Sequence, residues 1–253
     1  MANPITALPL GWPQGYGRAV FDSLPSTNAA ALAADGPAWI AAQTQTAGRG
    51  RRARAWDSPR GNLYASLILH PSDPPTRMAL RSFAAALALR DALIAAGVAG
   101  DQITLKWPND VLLAGGKVAG ILLESAPRGA LACLAIGFGV NLAAHPDASG
   151  VEAGATTPTS VLAATGRAVQ PVDFLTHLAA AYAQREAQFI AHGFAPIRKD
   201  FLAHAARLGD QITARLASGI QHMGTFSNID QDGNLILQTA AGPMAIPAAD
   251  VFF

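Results

Sequence analysis

Among 253 residues there is one cysteine, Cys133. An intramolecular disulfide framework is therefore excluded, and the lone thiol, set in Leu-Ala-Cys-Leu-Ala-Ile, reads as a small core residue rather than a nucleophile. Charge is scarce as well: 14% of residues are Asp, Glu, Lys or Arg, and the formal net charge is +1. A general nucleic-acid binder needs a broader basic surface than that. Nowhere do about 18 apolar residues run together, the length that a membrane-crossing helix requires. The opening Met-Ala-Asn-Pro-Ile-Thr-Ala-Leu-Pro-Leu carries no basic start and no long apolar stretch, and Pro4, Pro9 and Pro13 interrupt it. No internal repeat is present. The expected address is the cytoplasm, with no membrane partner.

About half of the residues are apolar, enough to bury one large core and a small satellite. Val20 to Leu24 and Trp39 to Gln43 read as strands, separated by an alanine-rich helix that starts near Ser26-Thr27-Asn28 and stops at Asp35-Gly36-Pro37. Leu63 to Leu69 is apolar on both faces, as a central strand is. Thr76 to Ala96 has helical spacing, with Gly97 as its cap. Ile103 to Trp107, Val111 to Leu113, Val118 to Ser125 and Leu131 to Asn141 are further strands, and Gly115-Gly116 fits a hairpin turn. Helical patterns follow over 159 to 165, 172 to 191 and 195 to 206. After Leu208-Gly209-Asp210 the chain turns to short β runs, for which a compact five-strand barrel is the economical fold. The expectation is an α+β protein: a helix-flanked mixed sheet over residues 1–206 and a small β-barrel over 207–253.

Against this sparse background of charge, Arg49, Arg51, Arg52 and Arg54 fall in one short loop, interleaved with Gly48 and Gly50. Glycines free the backbone to turn its N–H groups inward, and guanidinium forks match phosphate or carboxylate oxygens. Trp56 follows, a ring that is costly to leave in water. A solvated charge run is the alternative.

Three further constellations carry polar chemistry. Ser26-Thr27-Asn28 is either a helix cap or a grip for a polar head group at a helix start. Lys106-Trp107-Pro108-Asn109-Asp110 is a poor core sequence whose polar groups are expected to face a cleft, an ordinary Pro-Asn-Asp turn being the alternative. Gly115-Gly116-Lys117-Val118-Ala119-Gly120-Ile121-Leu122-Leu123-Glu124 puts Lys117 into an apolar strand, where the ammonium needs an anion or a cavity, or else a salt bridge to Glu124 or Asp110. Finally Gly137-Phe138-Gly139-Val140-Asn141 ends a strand with two glycines that permit close approach.

In order and spacing these motifs resemble the biotin protein ligases: Ser-Thr-Asn, then Gln-Thr-x-Gly-Arg-Gly-Arg-x-x-Arg-x-Trp-x-Ser-Pro-x-Gly-Asn-Leu-Tyr-x-Ser, Lys-Trp-Pro-Asn-Asp, Gly-x-Lys-x-Ala-Gly-Ile-Leu-x-Glu and Gly-x-Gly-x-Asn. The motifs span Phe21 to Asn141. The resemblance implies a catalytic domain of the biotin/lipoate ligase fold, similar to class II synthetases, followed by an SH3-like barrel. It also implies a two-step reaction, in which biotin and ATP with Mg²⁺ give biotinyl-5′-AMP, and a lysine of a biotin carboxyl carrier domain, of acetyl-CoA carboxylase or another biotin-dependent carboxylase, then takes the biotinyl group. On the same basis Ser26, Thr27, Asn28, Gln45, Arg49, Gly50, Arg51, Lys117 and Gly120 are expected around biotin. Arg49, Arg51, Arg54, Trp56, Asn109, Lys117 and Asn141 are expected around ATP or the adenylate. Lys117, Arg51, Asn109, Asp110 and Lys106 are expected to carry the chemistry, with no resident metal site.

Two departures from the family pattern stand out. Ala53 occupies a loop position where glycine is frequent, which restricts left-handed backbone there. Only about twenty residues precede the first strand, too few for the helix-turn-helix that some members carry, so DNA is not an expected partner; a homodimer is compatible with the resemblance. A lipoate ligase or octanoyl transferase is the alternative enzyme, and a nucleotide or RNA binder the alternative binding module.

Overall fold

A computed structural model describes residues 6–129, 131–147 and 156–252, with Leu131 as backbone only. Seven strands form one mixed sheet: β1 (Gly17–Leu24), β2 (Ala38–Gln45), β3 (Leu63–Leu69), β4 (Ile103–Lys106), β5 (Asp110–Leu113), β6 (Gly116–Arg128) and β7 (Leu131–Val140), in the order β1-β2-β3-β7-β6-β5-β4. Only β1 and β2 are parallel; every other pair is antiparallel. The β3 run is buried along its whole length and lies inside the sheet, as its double-faced apolar pattern predicts.

Side-chain alternation divides the sheet into two unlike faces. Trp39, Ala41, Leu67, Ile136 and Phe138 point to the main core, covered by α3 (Arg81–Ala95) and α5 (Pro171–His192), with α2 (Pro75–Ala79) and α6 (Phe194–Ala203) beside them. Ile40, Ala42, Ile68, Cys133 and Ala135 point the other way, into a smaller cluster beneath α1 (Thr27–Ala33). Cys133 is a buried free thiol, as its apolar setting predicts. Along this second face β7 reads Cys133, Ala135, Gly137, Gly139. Its side chains shrink toward one end, and there the sheet surface is left open as the floor of a cleft.

The helix expected over 76–96 is broken at Leu80 into α2 and α3. Gly97 sits at φ 88, its N–H donating to Ile94 and that of Val98 to Leu93, a left-handed cap at the end of α3. The β5–β6 hairpin turns on Ala114 (φ 49) and Gly115 (φ 81), not on Gly115-Gly116. Gly116 already belongs to β6, where a Cβ would meet Thr159 at 2.8 Å. A short helix α4 (Val161–Thr165) is capped by Ser160.

The C-terminal strands β8 (Gln211–Arg215), β9 (Gln221–Ile229), β10 (Leu235–Thr239), β11 (Gly242–Ile246) and β12 (Asp250–Phe252) form an antiparallel sheet in the order β11-β10-β9-β8-β12. It fits an SH3-like domain, but the expected closed barrel does not form: β11 and β12 are its two edges, and among the described residues they do not pair. The fifth strand is a three-residue segment too short for the sequence pattern to display. Ile212, Phe226 and Leu235 join the main core, so the two sheets share one apolar interior. Among the described residues, no helix is long and apolar enough to cross a membrane.

Candidate active site

A cleft of about 800 Å³ opens between the α1 face of the sheet, the arginine loop and the β12 edge of the C-terminal sheet. Every residue expected around a ligand lines it: Ser26, Thr27, Asn28, Gln45, Arg49, Gly50, Arg51, Arg54, Trp56, Lys106, Asn109, Asp110, Lys117, Gly120 and Asn141. One end is polar and uncharged, the other cationic, and a strip of glycine backbone joins them.

The uncharged end is built on the start of α1. Ser26 caps the helix, its Oγ accepting the Ala29 N–H at 3.4 Å. The cap and ligand readings therefore apply to different residues of one motif. The Thr27 N–H donates to Gln45 Oε1 at 2.9 Å, and Gln45 Nε2 donates to Ser58 Oγ at 3.3 Å. The Asn28 amide is fully engaged by the protein, donating to Glu124 Oε2 at 2.7 Å and the Leu122 carbonyl at 3.2 Å while Ser66 Oγ lies 2.6 Å from its Oδ1. Asn28 thus shapes the pocket and does not offer it a free amide.

The floor is Gly120 and Gly139, paired across β6 and β7, with Gly137 next along the strand. A Cβ on Gly139 would come within 2.5 Å of the Trp56 indole, and one on Gly120 within 3.1 Å. The Trp56 ring therefore lies flat on the glycine strip, with Lys117 Nζ 5.5 Å from its centroid. Its Nε1 is buried without a hydrogen-bond partner among the described residues.

Lys117 supplies the first cation. Its Nζ pairs with Asp110 Oδ1 at 2.8 Å, so of the two carboxylates that the sequence offers it the structure selects Asp110. Lys106 is buried at the end of β4, with Nζ donating to Thr156 Oγ1 at 2.7 Å. Burial pushes its ammonium below the ordinary lysine range; Asp110 opposes that shift, Lys117 adds to it and Asp250 opposes it. Trp107, in the same motif, is buried at the cleft's edge: it is 3% exposed and its Nε1 donates to the Gly233 carbonyl at 3.0 Å. Asn109 faces inward, its Nδ2 donating to the Ile121 carbonyl at 2.7 Å. Asn141 is buried at the rim, its Nδ2 bonded to the Thr159 carbonyl at 3.0 Å.

The arginine loop folds as a hairpin with internal bonds. Gly50 N–H donates to Arg54 O at 2.7 Å, and Trp56 N–H to Gly48 O at 3.0 Å. These N–H groups do not turn toward the cleft as the glycine spacing predicts, because the loop's own carbonyls satisfy them. Gly48 is instead required by the close passage of Trp56, whose carbonyl would lie 2.6 Å from a Cβ. Arg52 (φ 56) and Ala53 (φ 57) are both left-handed, a conformation that costs a non-glycine residue about 1–2 kcal/mol. Ala53 thus adopts the geometry for which glycine is preferred.

One carboxylate that the sequence reading passed over offsets that strain. Asp250, at the start of β12, accepts from Arg52 at 2.6 Å and Arg54 at 3.0 Å, with Arg215 at 3.8 Å and Arg51 at 4.0 Å. Arg51 also donates to the Ala249 carbonyl at 3.2 Å and reaches Asn109 Oδ1 at 3.5 Å. Its burial lowers the guanidinium's pKa, with Asp250 and Asp110 opposing the shift. Replacing Asp250 with asparagine is expected to speed amide hydrogen exchange over residues 49–55 by about tenfold while β3 and β7 exchange as before. An unchanged rate in the loop would show that its hairpin bonds suffice. Nothing in the local sequence Ala-Ala-Asp-Val-Phe marks this role, since it comes from a partner almost 200 positions away.

Among the described residues, no cluster of three or more His, Cys, Asp or Glu side chains is placed to hold a metal ion. The arrangement suits a ligand with a neutral polar group at one end, a slender apolar middle and an anion at the other end.

The family described as "Biotin/lipoate A/B protein ligase family" matches residues 20–141. A biotin--[acetyl-CoA-carboxylase] ligase from Paracoccus denitrificans is 53% identical over 234 residues, covering 90% of this chain and 97% of that protein. The bifunctional ligase/repressor BirA of Bacillus subtilis is 34% identical over 214 residues, covering 84% of this chain and 65% of its own length. The solved biotin protein ligase from Aquifex aeolicus in complex with biotin and ATP superposes with a TM-score of 0.80 at 21% identity, covering 92% of this chain and 97% of that one, a likeness of fold. By its identity to the Paracoccus protein along nearly all of that protein's length, the chain belongs to the biotin/lipoate A/B protein ligase family.

Proposed function

We propose that this chain is an ATP-dependent ligase that activates biotin as biotinyl-5′-AMP and passes the biotinyl group to a lysine of a biotin carboxyl carrier domain. The observation that carries the reading is the two-ended cleft, with an uncharged polar head site joined by a glycine floor, on which the Trp56 ring lies, to five cationic side chains, Arg49, Arg51, Arg54, Lys106 and Lys117. A biotin molecule has a matching layout: a ureido ring, an aliphatic tail and a carboxylate.

In the first step a carboxylate oxygen of biotin attacks the α-phosphorus of ATP, and pyrophosphate leaves. Two anions must meet, so fixed positive charge has to stand where the phosphoryl oxygens gain negative charge. Lys117 lies at the junction of floor and cationic end and is assigned to the biotin carboxylate and the α-phosphate. Arg49, Arg51 and Arg54 are assigned to the phosphates, and Trp56 and Asn141 to the sides of the nucleotide site. Asn109 and Asp110 would be oxygen donors for Mg²⁺ bound with the polyphosphate, which would neutralise charge on the phosphates. In the second step the carrier lysine's amine attacks the acyl carbon and AMP leaves; Asp110 is assigned to receive that amine. The loop excludes water from the anhydride between the steps.

Residues 1–206 form the catalytic domain in this reading, and 207–253 a second domain whose Asp250 secures the loop. Acetyl-CoA carboxylase supplies the carrier, and the reaction takes place in the cytoplasm, where that carrier and ATP meet. The test is pyrophosphate release from ATP and Mg²⁺ with biotin, lipoate or octanoate in parallel. Release with biotin alone is the expected result. Release with lipoate or octanoate instead would move the chain to another branch of the family, and release with none would favour a binding role.

A further inference from the structure

Both ends of the arginine loop are tied to the polar head site by one continuous chain of side-chain contacts. From the loop's start, Arg49 Nη2 pairs with Glu124 Oε1 at 3.3 Å. The other oxygen of that carboxylate accepts from Asn28 Nδ2 at 2.7 Å. Asn28 Oδ1 lies 2.6 Å from Ser66 Oγ, which lies 2.8 Å from Thr27 Oγ1. Thr27 meets Gln45 Oε1 through both its N–H and its hydroxyl, at 2.9 and 3.2 Å. Gln45 Nε2 donates to Ser58 Oγ, and Ser58 donates to the Trp56 carbonyl at 3.0 Å, at the loop's far end.

Resting on the ligase reading above, we infer that Glu124 is a positioning residue that couples occupation of the biotin head site to closure of the arginine loop. Its two oxygens face different tasks. The Asn28 side is the rigid one: Asn28 is 4% exposed and Ser66 is fully buried, and a charge-assisted bond in such surroundings holds its geometry. The Arg49 side is looser, since the two side chains are 46% and 30% exposed and solvent screens the pair. A carboxylate fixed at one oxygen and lightly paired at the other is suited to hold a loop that must open for the nucleotide and close on the adenylate. Glu124 does not line the cleft, so it acts through Asn28 and Arg49, not on the ligand. Coupling of this kind is reciprocal: a head group that orders Thr27 and Gln45 favours the closed loop, and a closed loop slows departure of the head group.

The experiment uses the full chain and two variants, Glu124→Ala and Glu124→Gln. Three readouts are taken: tryptic cleavage within residues 49–54 with and without saturating biotin, the rate at which biotinyl-5′-AMP leaves the protein, and KM and kcat for pyrophosphate release. Wild-type protein is expected to be protected by biotin. Glu124→Ala is expected to lose most of that protection, release the adenylate about tenfold faster and show about a tenfold higher KM for biotin, with a smaller fall in kcat. Glu124→Gln keeps an acceptor for Asn28 and loses the charge facing Arg49. It is expected to recover the KM but not the protection of the loop. A folded Glu124→Ala protein that biotin protects as well as wild type, and that releases adenylate at the wild-type rate, would overturn the role of Glu124 while leaving the ligase reading intact. Wild-type protein that forms no adenylate and gains no protection from biotin would overturn the ligase reading and the coupling with it.

Discussion

Replacing Lys117 with alanine is expected to slow biotin-dependent pyrophosphate release by about 100- to 1,000-fold, the loss typical of removing a fixed charge from a developing anion. The fold should survive the change. Lys117 is 28% exposed at the cleft wall and pairs with Asp110, itself 16% exposed. Removing the ammonium leaves that carboxylate without its cation, which costs on the order of 1–3 kcal/mol. For a chain of this size each kcal/mol lowers Tm by about 2–4 °C, so the variant should melt somewhat earlier as a still cooperative unit. Circular dichroism melts and a pyrophosphate assay on the same preparation separate the two effects. If the variant instead melted far earlier while its folded fraction turned over at the wild-type rate, Lys117 would be a structural partner of Asp110 and nothing more.

A methyl group added at Gly137 is expected to do comparable damage by a different route. The new Cβ would lie 2.4 Å from Asn28 Oδ1 and 3.0 Å from its carbonyl carbon. A flexible side chain would swing away, but Asn28 is held by Ser66, Glu124 and the Leu122 carbonyl. Either the sheet shifts or those bonds break. Overpacking of this kind costs about 1–3 kcal/mol, and here it falls on the residue that shapes the head site. Gly137→Ala should therefore lose affinity for biotin by more than about tenfold, as measured by calorimetric titration, with a lowered Tm. Binding within twofold of wild type would show that Asn28 has room that the packing does not reveal.

Both variants depend on how unevenly the site could be read from the chain. The arginine loop, the Lys106 to Asp110 turn and the glycine pairs are contiguous, and each contains residues that make poor core or poor strand, so each stands out locally. Their partners do not. Ser66 closes the long motif that begins at Gln45, but it lies in a wholly buried strand and nothing local shows that it contacts both Thr27 and Asn28. Glu124 ends a recognisable motif, yet its partners Asn28 and Arg49 lie 96 and 75 positions away. Trp56 and Trp107 both follow basic residues in polar segments, and nothing local shows that one lies on the cleft floor while the other is buried against the Gly233 carbonyl.

By itself the sequence determined the kind of fold, the family and many of the residues that line the cleft. Period-two alternation and helical spacing are local properties of the backbone, and clustered arginines with glycines keep their chemistry wherever they are placed. Only the tertiary structure decided which carboxylate meets which cation: Asp110 with Lys117, Glu124 with Arg49, and Asp250 with the arginine loop. It also decided that the C-terminal sheet stays open at β11 and β12. Ion pairs and edge-strand pairing join atoms far apart in the chain, so they follow from how the sheets pack and not from the pattern of any one segment.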